Sequence, residues 1–402
     1  MPRLLLLLPQ LPQDPASGAA RSMRIICEIM AEAGWSVRAL AVTANTAAAP
    51  PDILRGMNLA VRTRLPNRAL YKHDRPVLEF TGDHSIHYQL LDTGDHTTFS
   101  WHALPGSQFN RLYQRELADH KPDVVFGFGG HPDDVERFIR ARAAGCKVVF
   151  GLRNHGYKDA DWLRDLDGVL TCSEYLSGVY REELGLPSTG LPSPLDPAET
   201  IAPEREAIFF TAINPSVEKG VFFLARLAEE LAARRPDLPM LFIESRGSGG
   251  QLVQAGLAGG FDLRRHESLM FAAAVPKPAE IFRGARVLLA PSVWEEPFGR
   301  VAAEALLNGV PPLVSDRGGL AEAANGGGFV LPLPKSLTLE TRTPVAAADV
   351  EPWLEVMLRL ADDADFYAEA SARARAAGEA YQPAVLAPRY VNFFQQVLRA
   401  GA

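Results

Sequence analysis

The sequence predicts an α/β protein built from two doubly wound, Rossmann-like domains in series. Short aliphatic runs alternate with longer segments of helical periodicity, which is the order expected of parallel sheets covered by helices. The chain has 402 residues, 47% of them hydrophobic, and this length exceeds what one hydrophobic core usually supports. A stretch rich in proline and glycine, residues 184–200, separates two blocks of the same alternation. We therefore place the domain boundary near residue 195.

The first block begins with the strand that the opening residues MPRLLLLLPQ predict. The leucine run is short for the apolar segment of a signal peptide and ends at Pro9 without a cleavage site of small residues, so we interpret it as a buried strand. A helix over residues 19–33 follows, and Gly34 ends it. Residues 44–105 show no clear pattern and are left loosely assigned. The strands predicted in this block are residues 4–8, 36–42, 124–127, 147–152 and 168–172.

The second block repeats the alternation of strands and helices. Its predicted strands are residues 207–212, 240–244, 287–290 and 312–315. Its predicted helices are residues 220–234, 278–282 and 299–308, followed by three C-terminal helices at 349–360, 365–379 and 388–398. The predicted domains are residues 1–195, residues 196–378, and a C-terminal helical segment, residues 379–402, that packs back on the first domain.

Composition and charge exclude several classes of protein. The formal net charge is −7, so the overall balance favours neither nucleic acid nor an anionic membrane surface as a partner. No uninterrupted apolar stretch approaches the roughly 20 residues of a membrane-spanning helix. The cysteines Cys27, Cys146 and Cys172 lack the spacing of metal ligands and fit a reducing compartment. We expect a cytoplasmic protein, with peripheral association at a membrane left open.

The most informative stretch is EEPFGRVAAE, residues 295–304, in which one glutamate precedes and another follows a Phe-Gly pair. It comes after the predicted strand 287–290, at the carboxyl end where open α/β sheets bind ligands. Free amides in the first turn of the following helix form an anion site, and Gly299 lets a phosphate approach the backbone. Glu296 and Glu304 are strong acceptors for paired hydroxyl groups. A nucleotide sugar, with central phosphates and hydroxyl groups at both ends, fits these features.

Two other turns between a strand and a helix carry related chemistry. The segment FTAINPSVEKG puts Lys219 and Gly220 at a helix start, where lysine supplies a mobile positive charge for a diphosphate. The segment SDRGGLAE puts Gly318 and Gly319 in the same position, followed by Glu322. Two roles are equally compatible with Glu322: stabilising the helix through its dipole, or contacting the ligand. Cations, amides and carboxylates are therefore expected at one crevice.

Together these residues resemble the retaining glycosyltransferases of family 4, among the group 1 glycosyltransferases, whose GT-B fold has two Rossmann-like domains facing a central crevice. The resemblance rests on EPFG with Glu304, on the Lys-Gly pair, and on the Gly-Gly pair with Glu322, across residues 207–332. In the first half, PQDPASGAARS resembles the family's glycine loop, and DGVLTCSEYLSGVY its sixth-strand serine segment. The resemblance implies a metal-independent hexosyltransferase that uses a nucleoside-diphosphate sugar, retains the anomeric configuration and needs no further cofactor.

The resemblance also implies roles for individual residues. Glu304 would hold the ribose hydroxyls, Glu296 the hydroxyls of the transferred sugar, and Lys219 the diphosphate. The donor-binding candidates are Gly18, Asn214, Lys219, Gly220, Arg246, Glu296, Phe298, Gly299, Arg300 and Glu304.

The sequence departs from the family pattern at two points. The family usually has an arginine five residues before the lysine, but Asn214 stands there, so Arg300 or Arg246 would have to replace its charge. The family's histidine after the strand in KVVFGLRNHGY aligns with Arg153, and His155 follows two residues later. The catalytic candidates are Glu296, Lys219, His155 and Arg153, with His131 as an alternative in the first domain.

Two further patterns suggest a metal site and are interpreted otherwise. Residues 165–167 and 363–365 spell DxD, which binds a divalent metal in a different glycosyltransferase fold. The first lies before a buried strand and the second in a helical segment, so we expect solvated acids there. His84 and His87 form an HxxH without a helical pattern, which does not favour zinc. No metal is assigned.

Two other functions remain compatible with these residues. A nucleotide-sugar epimerase of similar architecture would act without an acceptor. An inactive nucleotide-sugar or glycan-binding protein would explain the departures at Asn214 and Arg153. The sequence leaves open the base and sugar of the donor and the acceptor, which could be a saccharide, a lipid-linked molecule or a small molecule.

Overall fold

The computed structural model describes residues 1–14, 17–44, 60–66, 73–94, 101, 107–158 and 161–400. The chain divides into two compact units. The first unit consists of Met1–Pro194 and Pro383–Ala402, and the second of Leu195–Gln382. Each unit contains a largely or wholly parallel sheet flanked by helices, which confirms the predicted α/β class with two Rossmann-like parts.

The first unit contains a nine-stranded sheet in the part of the chain that the structure describes. Its strands are β1 (Arg3–Leu8), β2 (Ser36–Val42), β3 (Arg62–Arg64), β4 (Val77–Thr81), β5 (His87–Leu91), β6 (Val124–Gly127), β7 (Lys147–Leu152), β8 (Gly168–Thr171) and β9 (Thr189–Gly190). They lie in the order β3-β4-β5-β2-β1-β6-β7-β8-β9. Strand β4 runs antiparallel to β3 and β5, and the other neighbours are parallel.

Among the described residues of the first unit, the α-helices that lie between strands are α1 (Gly18–Glu32), α2 (Ser107–Asp119), α3 (Pro132–Ala143) and α4 (Glu174–Leu184). Serine residues start two of them, because Ser17 accepts a hydrogen bond from the Ala20 amide (3.2 Å) and Ser173 one from the Leu176 amide (2.9 Å). All three cysteines are buried in this unit. Burial raises the pKa of the Cys146 thiol to about 11, so it packs as a small hydrophobic residue.

The second unit contains a six-stranded parallel sheet within the described residues. Its strands are β10 (Phe209–Ile213), β11 (Met240–Ile243), β12 (Leu269–Ala272), β13 (Ala285–Ala290), β14 (Pro312–Ser315) and β15 (Phe329–Leu331), in the order β12-β11-β10-β13-β14-β15. The central strands are buried on both faces, as parallel sheets covered by helices require.

The helices of the second unit are α5 (Pro197–Thr200), α6 (Val221–Arg234), α7 (Gly249–Ala258), α8 (Pro278–Phe282), α9 (Arg300–Leu307), α10 (Leu320–Ala324), α11 (Ala347–Asp362) and α12 (Ala364–Gly378). The chain then returns to the first unit as α13 (Pro383–Arg399). Among the described residues, none of these helices has the length and apolar character needed to cross a membrane.

Helix α13 begins at Pro383, five residues before the predicted start, so the prediction of a start at Pro388 is wrong. Proline at the first helical position loses no hydrogen bond, whereas Pro388 inside the helix does. The buried Leu386, Tyr390 and Phe394, four residues apart, form one apolar face. Their burial, including an edge contact between the Phe394 and Phe126 rings at 5.3 Å, keeps the helix continuous across the proline.

Candidate functional site

The candidate site lies in the second unit, at the carboxyl ends of four neighbouring strands. Because β11, β10, β13 and β14 are parallel and adjacent, the loops that follow them lie side by side. We call these loops the β11 loop (residues 244–248), the β10 loop (214–220), the β13 loop (291–299) and the β14 loop (316–319). This is the edge at which open α/β sheets bind ligands.

The β10 and β13 loops are joined at the Glu218 carbonyl. The Glu218 carbonyl accepts hydrogen bonds from the Ser292 hydroxyl (2.9 Å) and from the Trp294 amide (3.1 Å). Gly220 has φ +82°, and a Cβ atom there would lie 2.1 Å from the Pro291 carbonyl oxygen. The approach of the two loops therefore requires glycine at this position.

The Gly-Gly pair of the β14 loop packs against the backbone that carries Glu296. The Gly319 amide donates a hydrogen bond to the Glu296 carbonyl (2.7 Å). Gly318 has φ +62°, and a Cβ atom there would lie 2.3 Å from the Glu296 nitrogen. The sequence placed this pair between a strand and a helix at the crevice, and in the structure the two glycines fix the position of Glu296.

Replacing Gly318 with alanine is expected to lower the free energy of unfolding by roughly 2 to 4 kcal/mol, because left-handed strain and backbone overlap add together. Gly326→Ala is the matched control, since Gly326 has a similar φ of +70° with no atom within 4 Å of its added Cβ. The control should lose only about 1 kcal/mol. Urea unfolding measures both changes, and equal losses would show that the contact with the Glu296 backbone does not constrain the loop.

Lys219 and Glu296 meet as an ion pair between the β10 and β13 loops. The Lys219 ammonium donates a hydrogen bond to Glu296 Oε1. Glu296 is 7% exposed, and the Lys219 ammonium also lies 5.9 Å from the centre of the Trp294 ring, within the range of a cation–π contact. Two residues that the sequence proposed separately are therefore brought together.

A second ion pair lies in the first turns of α9. The Arg300 Nε donates a hydrogen bond to Glu304 Oε1 at 2.8 Å, one helical turn away, and both side chains are largely buried. The helix is preceded by Gly299 at φ +105°, and among the described residues no side chain caps its first turn. The positive end of the α9 helix dipole and the Arg300 guanidinium therefore lie together, which favours an anion there.

Asn214, which stands where the family has an arginine, connects the β10 and β11 loops. Its backbone has φ +60°, a conformation that asparagine tolerates better than most residues. Its side-chain oxygen accepts a hydrogen bond from the Gly247 amide at 2.5 Å. The amide group of Asn214 thus holds the loop that carries Arg246 next to the loop that carries Lys219.

Arg246 is exposed and lies close enough to the β10 loop to act on its charges. The pKa of Glu218 lies below its ordinary value. The main cause is that its carboxylate accepts hydrogen bonds from its own backbone amide and from the Ser216 side chain. The positive charges of Lys219 and Arg246 lower it further. Arg246 therefore contributes positive charge beside Lys219.

Phe298 supports the β13 loop from inside the unit. It is 4% exposed, and its ring meets the edge of the Tyr381 ring at 5.6 Å. The Tyr381 hydroxyl in turn donates a hydrogen bond to the Ala323 carbonyl at 2.9 Å. This side chain, which the sequence proposed for donor binding, therefore packs in the core behind the loop.

The candidates of the first unit follow its strands at their carboxyl ends. Arg153 comes directly after β7 and is 9% exposed, and none of its three buried guanidinium nitrogens makes a well-formed hydrogen bond to a described residue. His155 is half-buried, with its ring edge-on to Tyr175 at 6.1 Å. A buried cation with incompletely satisfied donors is costly in a merely structural role, so Arg153 is the more unusual of the two.

His131 and Gly18 lie at helix starts in the first unit. His131 precedes α3, and its Nδ1 accepts a hydrogen bond from the Asp133 amide at 3.3 Å. Gly18 is the first residue of α1, and its carbonyl accepts a hydrogen bond from the Ser22 hydroxyl at 2.8 Å. Residues 15–16 of the segment that resembles the family's glycine loop lie outside the described residues.

The two DxD patterns have local structural roles. Asp167 accepts a hydrogen bond from the Val148 amide (2.9 Å) and pairs with Lys147 (3.1 Å), and its side chain is only 15% exposed. The expectation of a fully solvated acid is therefore wrong for Asp167. Asp363 caps α12 by accepting a hydrogen bond from the Phe366 amide at 2.9 Å.

Comparison with protein families identifies the region around the ion pairs. Residues 194–336 match the family model described as glycosyl transferases group 1. This range contains β10 to β15 and every donor-binding candidate of the second unit. The match supports the glycosyltransferase group 1 family. No curated protein matches the sequence.

Several solved structures share the architecture of the whole chain. HepE from Anabaena, solved with UDP and glucose, has a TM-score of 0.65 at 14% identity, covering 98% of this chain and 99% of that one. Sucrose-phosphate synthase from Thermosynechococcus elongatus has a TM-score of 0.66 at 17% identity, covering 100% of each chain. The catalytic domain of starch synthase IV from Arabidopsis thaliana has a TM-score of 0.67 at 10% identity, covering 99% of each.

The fold is GT-B. At these identities the likeness establishes the fold alone, and GT-B was the fold that the motifs of the second half of the chain led us to expect. In GT-B terms, the four loops and the two ion pairs belong to the C-terminal Rossmann-like unit, whereas Arg153, His155 and His131 belong to the N-terminal one.

Proposed function

We propose that the protein is a glycosyltransferase that moves a sugar from a nucleoside-diphosphate sugar to an acceptor, with retention at the anomeric carbon. The observation that carries the proposal is the Lys219–Glu296 ion pair beside the N-terminus of α9, inside the region that matches group 1 glycosyltransferases. The UDP and glucose bound in the HepE structure support a nucleotide-sugar donor. Retention rests on the resemblance to family 4.

The proposed chemistry needs negative charge to be stabilised on the departing diphosphate. When the bond from the anomeric carbon to the diphosphate oxygen breaks, that oxygen keeps the electron pair. Lys219, Arg300 and the amides of α9 are positive charges and dipoles already fixed at one edge of the sheet. Groups fixed before the reaction stabilise developing charge without reorganisation. We therefore propose that the reaction needs no metal ion. The nucleotide sugar is the only cosubstrate that we assign besides the acceptor.

The roles proposed for the two glutamates follow from their positions. Glu296 lies in the loop before α9, where its carboxylate is held by Lys219, and we assign it to the hydroxyls of the transferred sugar. Glu304 lies in the second turn of α9 beside Arg300, and we assign it to the ribose. Both assignments follow the family resemblance, and the burial of both carboxylates supports directed contacts over a solvated surface role.

A nucleotide-sugar screen tests the proposal. UDP-, GDP- and ADP-sugars are added separately, and we expect one of them to raise the apparent melting temperature, because a ligand that binds only the folded state stabilises it. That donor is then incubated with an acceptor panel, with and without EDTA. Transfer that survives the chelator supports the proposal, whereas activity lost with EDTA and restored by Mn²⁺ would contradict metal independence.

The same assay separates the two alternative functions. An altered sugar nucleotide formed from donor alone, without an acceptor, would identify an epimerase. Donor binding without hydrolysis or transfer across the panel would identify a nucleotide-sugar-binding protein.

His155→Ala is expected to lower turnover by about 100-fold, which is within the range for a positioned side chain that transfers a proton, with little change in donor affinity. The reason is its place after β7 in the first unit, which we propose serves the acceptor or the reacting sugar. His84→Asn is the matched control, because His84 is an exposed histidine of the same unit at φ +53°, which asparagine tolerates. Wild-type turnover in His155→Ala would transfer the role to Arg153 or His131.

A further inference from the structure

A cavity of about 300 Å³ opens in the first unit, and none of the site candidates named above lines it. We call it the arginine pocket, because four arginines line it together with one acid and one amide. These residues are Arg64, Asp74, Arg75, Gln108, Arg111 and Arg115. In a chain with a net charge of −7, such a concentration of positive charge marks a site for an anion.

The arginine pocket lies at the ligand-binding edge of the first sheet. Val77, the first residue of β4, is paired with Leu91, the last residue of the parallel strand β5. Arg64, the last residue of β3, is paired with the same Val77. The pocket is therefore at the carboxyl edge of the parallel strands, where open α/β sheets take their ligands.

Helix α2 forms the opposite wall of the pocket. Gln108, Arg111 and Arg115 lie three and four residues apart, so they share one face of the helix. Gln108 fixes the segment before β4, because its side chain accepts a hydrogen bond from the Arg75 amide (2.7 Å) and donates one to the Arg75 carbonyl (2.8 Å). These hydrogen bonds hold α2 against the segment that precedes β4, so the walls of the pocket are fixed relative to each other.

The positive charge of the pocket is only partly compensated. Arg111 donates hydrogen bonds to both carboxylate oxygens of Asp74 at 2.5 Å, and Asp74 is the only acid among the lining residues that the structure describes. Arg64 pairs with Glu79 at 3.0 Å outside the lining.

The remaining two arginines have no acidic partner in the described ranges. The Arg75 Nε donates a hydrogen bond to the Asp92 backbone carbonyl at 2.6 Å. Because a carbonyl carries no net charge, the positive charge of Arg75 is not neutralised. Arg115 makes no hydrogen bond or ion pair with any residue of those ranges. Like charges around one cavity repel one another, and an anion bound there would offset this repulsion.

We propose that the arginine pocket binds a phosphate monoester group, and that this group belongs to the acceptor. The planar guanidinium fork matches phosphate oxygens in pairs, and a doubly charged phosphate neutralises the excess left by Arg75 and Arg115. The volume is at the lower end of ligand pockets, which suits a phosphorylated sugar or a phosphate headgroup. The assignment to the acceptor rests on the proposed glycosyltransferase function, whereas the anion site does not.

Calorimetric titration of the protein with inorganic phosphate, in the absence of nucleotide, tests the anion site. The double variant Arg111→Gln/Arg115→Gln is expected to weaken phosphate binding by about tenfold or more, because charge-assisted hydrogen bonds are lost. The single variant Arg115→Gln, which breaks no internal ion pair, should weaken it by a smaller factor and guards against misfolding. Arg140→Gln on α3, an exposed helical arginine outside the pocket, is the matched control and should bind phosphate as wild type does.

Two arms distinguish the source of the phosphate. Soluble sugar phosphates are compared in the calorimeter, and vesicles of phosphatidylcholine with and without phosphatidic acid are compared by cosedimentation. Arginine-dependent binding of the sugar phosphate assigns a soluble acceptor, and arginine-dependent binding only to phosphatidic acid vesicles assigns a lipid-linked one. Absence of phosphate binding by wild type in both arms, or equal binding by the double variant, would overturn the proposal.

A separate titration keeps this proposal distinguishable from the proposed function. The nucleoside diphosphate of the donor identified above is titrated into the double variant, and its affinity should equal that of wild type. If wild type binds phosphate but no nucleotide sugar, the anion site stands and the assignment to an acceptor falls with the proposed function. If it binds the nucleotide sugar but no phosphate, only the arginine pocket is refuted.

Discussion

Glu296→Gln is expected to lower turnover by about 100-fold while the affinity for the nucleoside diphosphate alone stays within about twofold of wild type. Glu296 lies in the loop assigned to the transferred sugar, where charge changes as the bond breaks, so its contacts should be strongest in the transition state. Lys219, which pairs with Glu296, stays available to the diphosphate in this variant, so nucleotide affinity should not fall. Steady-state kinetics and calorimetric titration with the nucleotide measure the two effects.

Glu295→Gln provides the matched control for this prediction. It makes the same chemical change one residue away on the same loop, at an exposed side chain, and should leave turnover near the wild-type value. The double variant Lys219→Met/Glu296→Gln removes both charges and so avoids burying an unpaired one. If Glu296→Gln instead loses nucleotide affinity, the carboxylate serves the nucleotide and our assignment of the sugar hydroxyls is wrong.

The central strands could be predicted from the sequence because they are short runs of mostly apolar, buried residues. Strands β2, β6, β7 and β14 have the predicted bounds without change. Strands β3, β4, β5, β9, β12 and β15 were not predicted. Strand β3, at the sheet edge, consists of charged and polar residues, because an edge strand does not require a continuous apolar run. Helix α2 was missed with them, since it follows the segment left loosely assigned.

The motifs of the candidate site could be recognised in the sequence, but the contacts between their residues could not be predicted from it. Periodicity placed Lys219 and Glu296 after two strands, but these residues are 77 positions apart, and only the strand order brings them together. The support that Gly318 gives to Glu296 likewise depends on loops that are distant in sequence. Phe298 carries a motif position, yet whether its ring faces a ligand or the core is decided by Tyr381, which no local pattern indicates.

Arg153 illustrates a signal that only burial reveals. In the sequence it is one arginine in a loop, and it drew attention only as a departure from the family's histidine. In the structure it lies near the buried Tyr390, whose pKa is raised by burial and lowered in part by this arginine's charge. A buried cation whose hydrogen-bond donors are incompletely satisfied supports the proposal that this edge of the first unit receives a polar substrate.

Glu304→Gln is expected to raise the donor KM by roughly ten- to hundredfold, since a charge-assisted hydrogen bond to a ribose hydroxyl contributes on the order of 1.5 to 3 kcal/mol. The turnover number should change less, because the ribose is bound about equally in the ground and transition states. Binding of the bare nucleoside diphosphate should weaken by the same factor. Glu355→Gln, an exposed helical glutamate on α11, is the matched control and should leave both quantities unchanged.

Comparison of nucleotide affinity and turnover in the two glutamate variants shows which carboxylate binds the nucleotide and which binds the transferred sugar. Glu304 is held by Arg300 on a helix and Glu296 by Lys219 in a loop, so each carboxylate has a cation that positions it and the two variants start from comparable surroundings. A loss of nucleotide affinity in Glu296→Gln together with normal affinity in Glu304→Gln would reverse the assignments. If both variants only unfold at lower urea concentration and bind nucleotide normally once folded, the two ion pairs are structural and the donor site lies elsewhere.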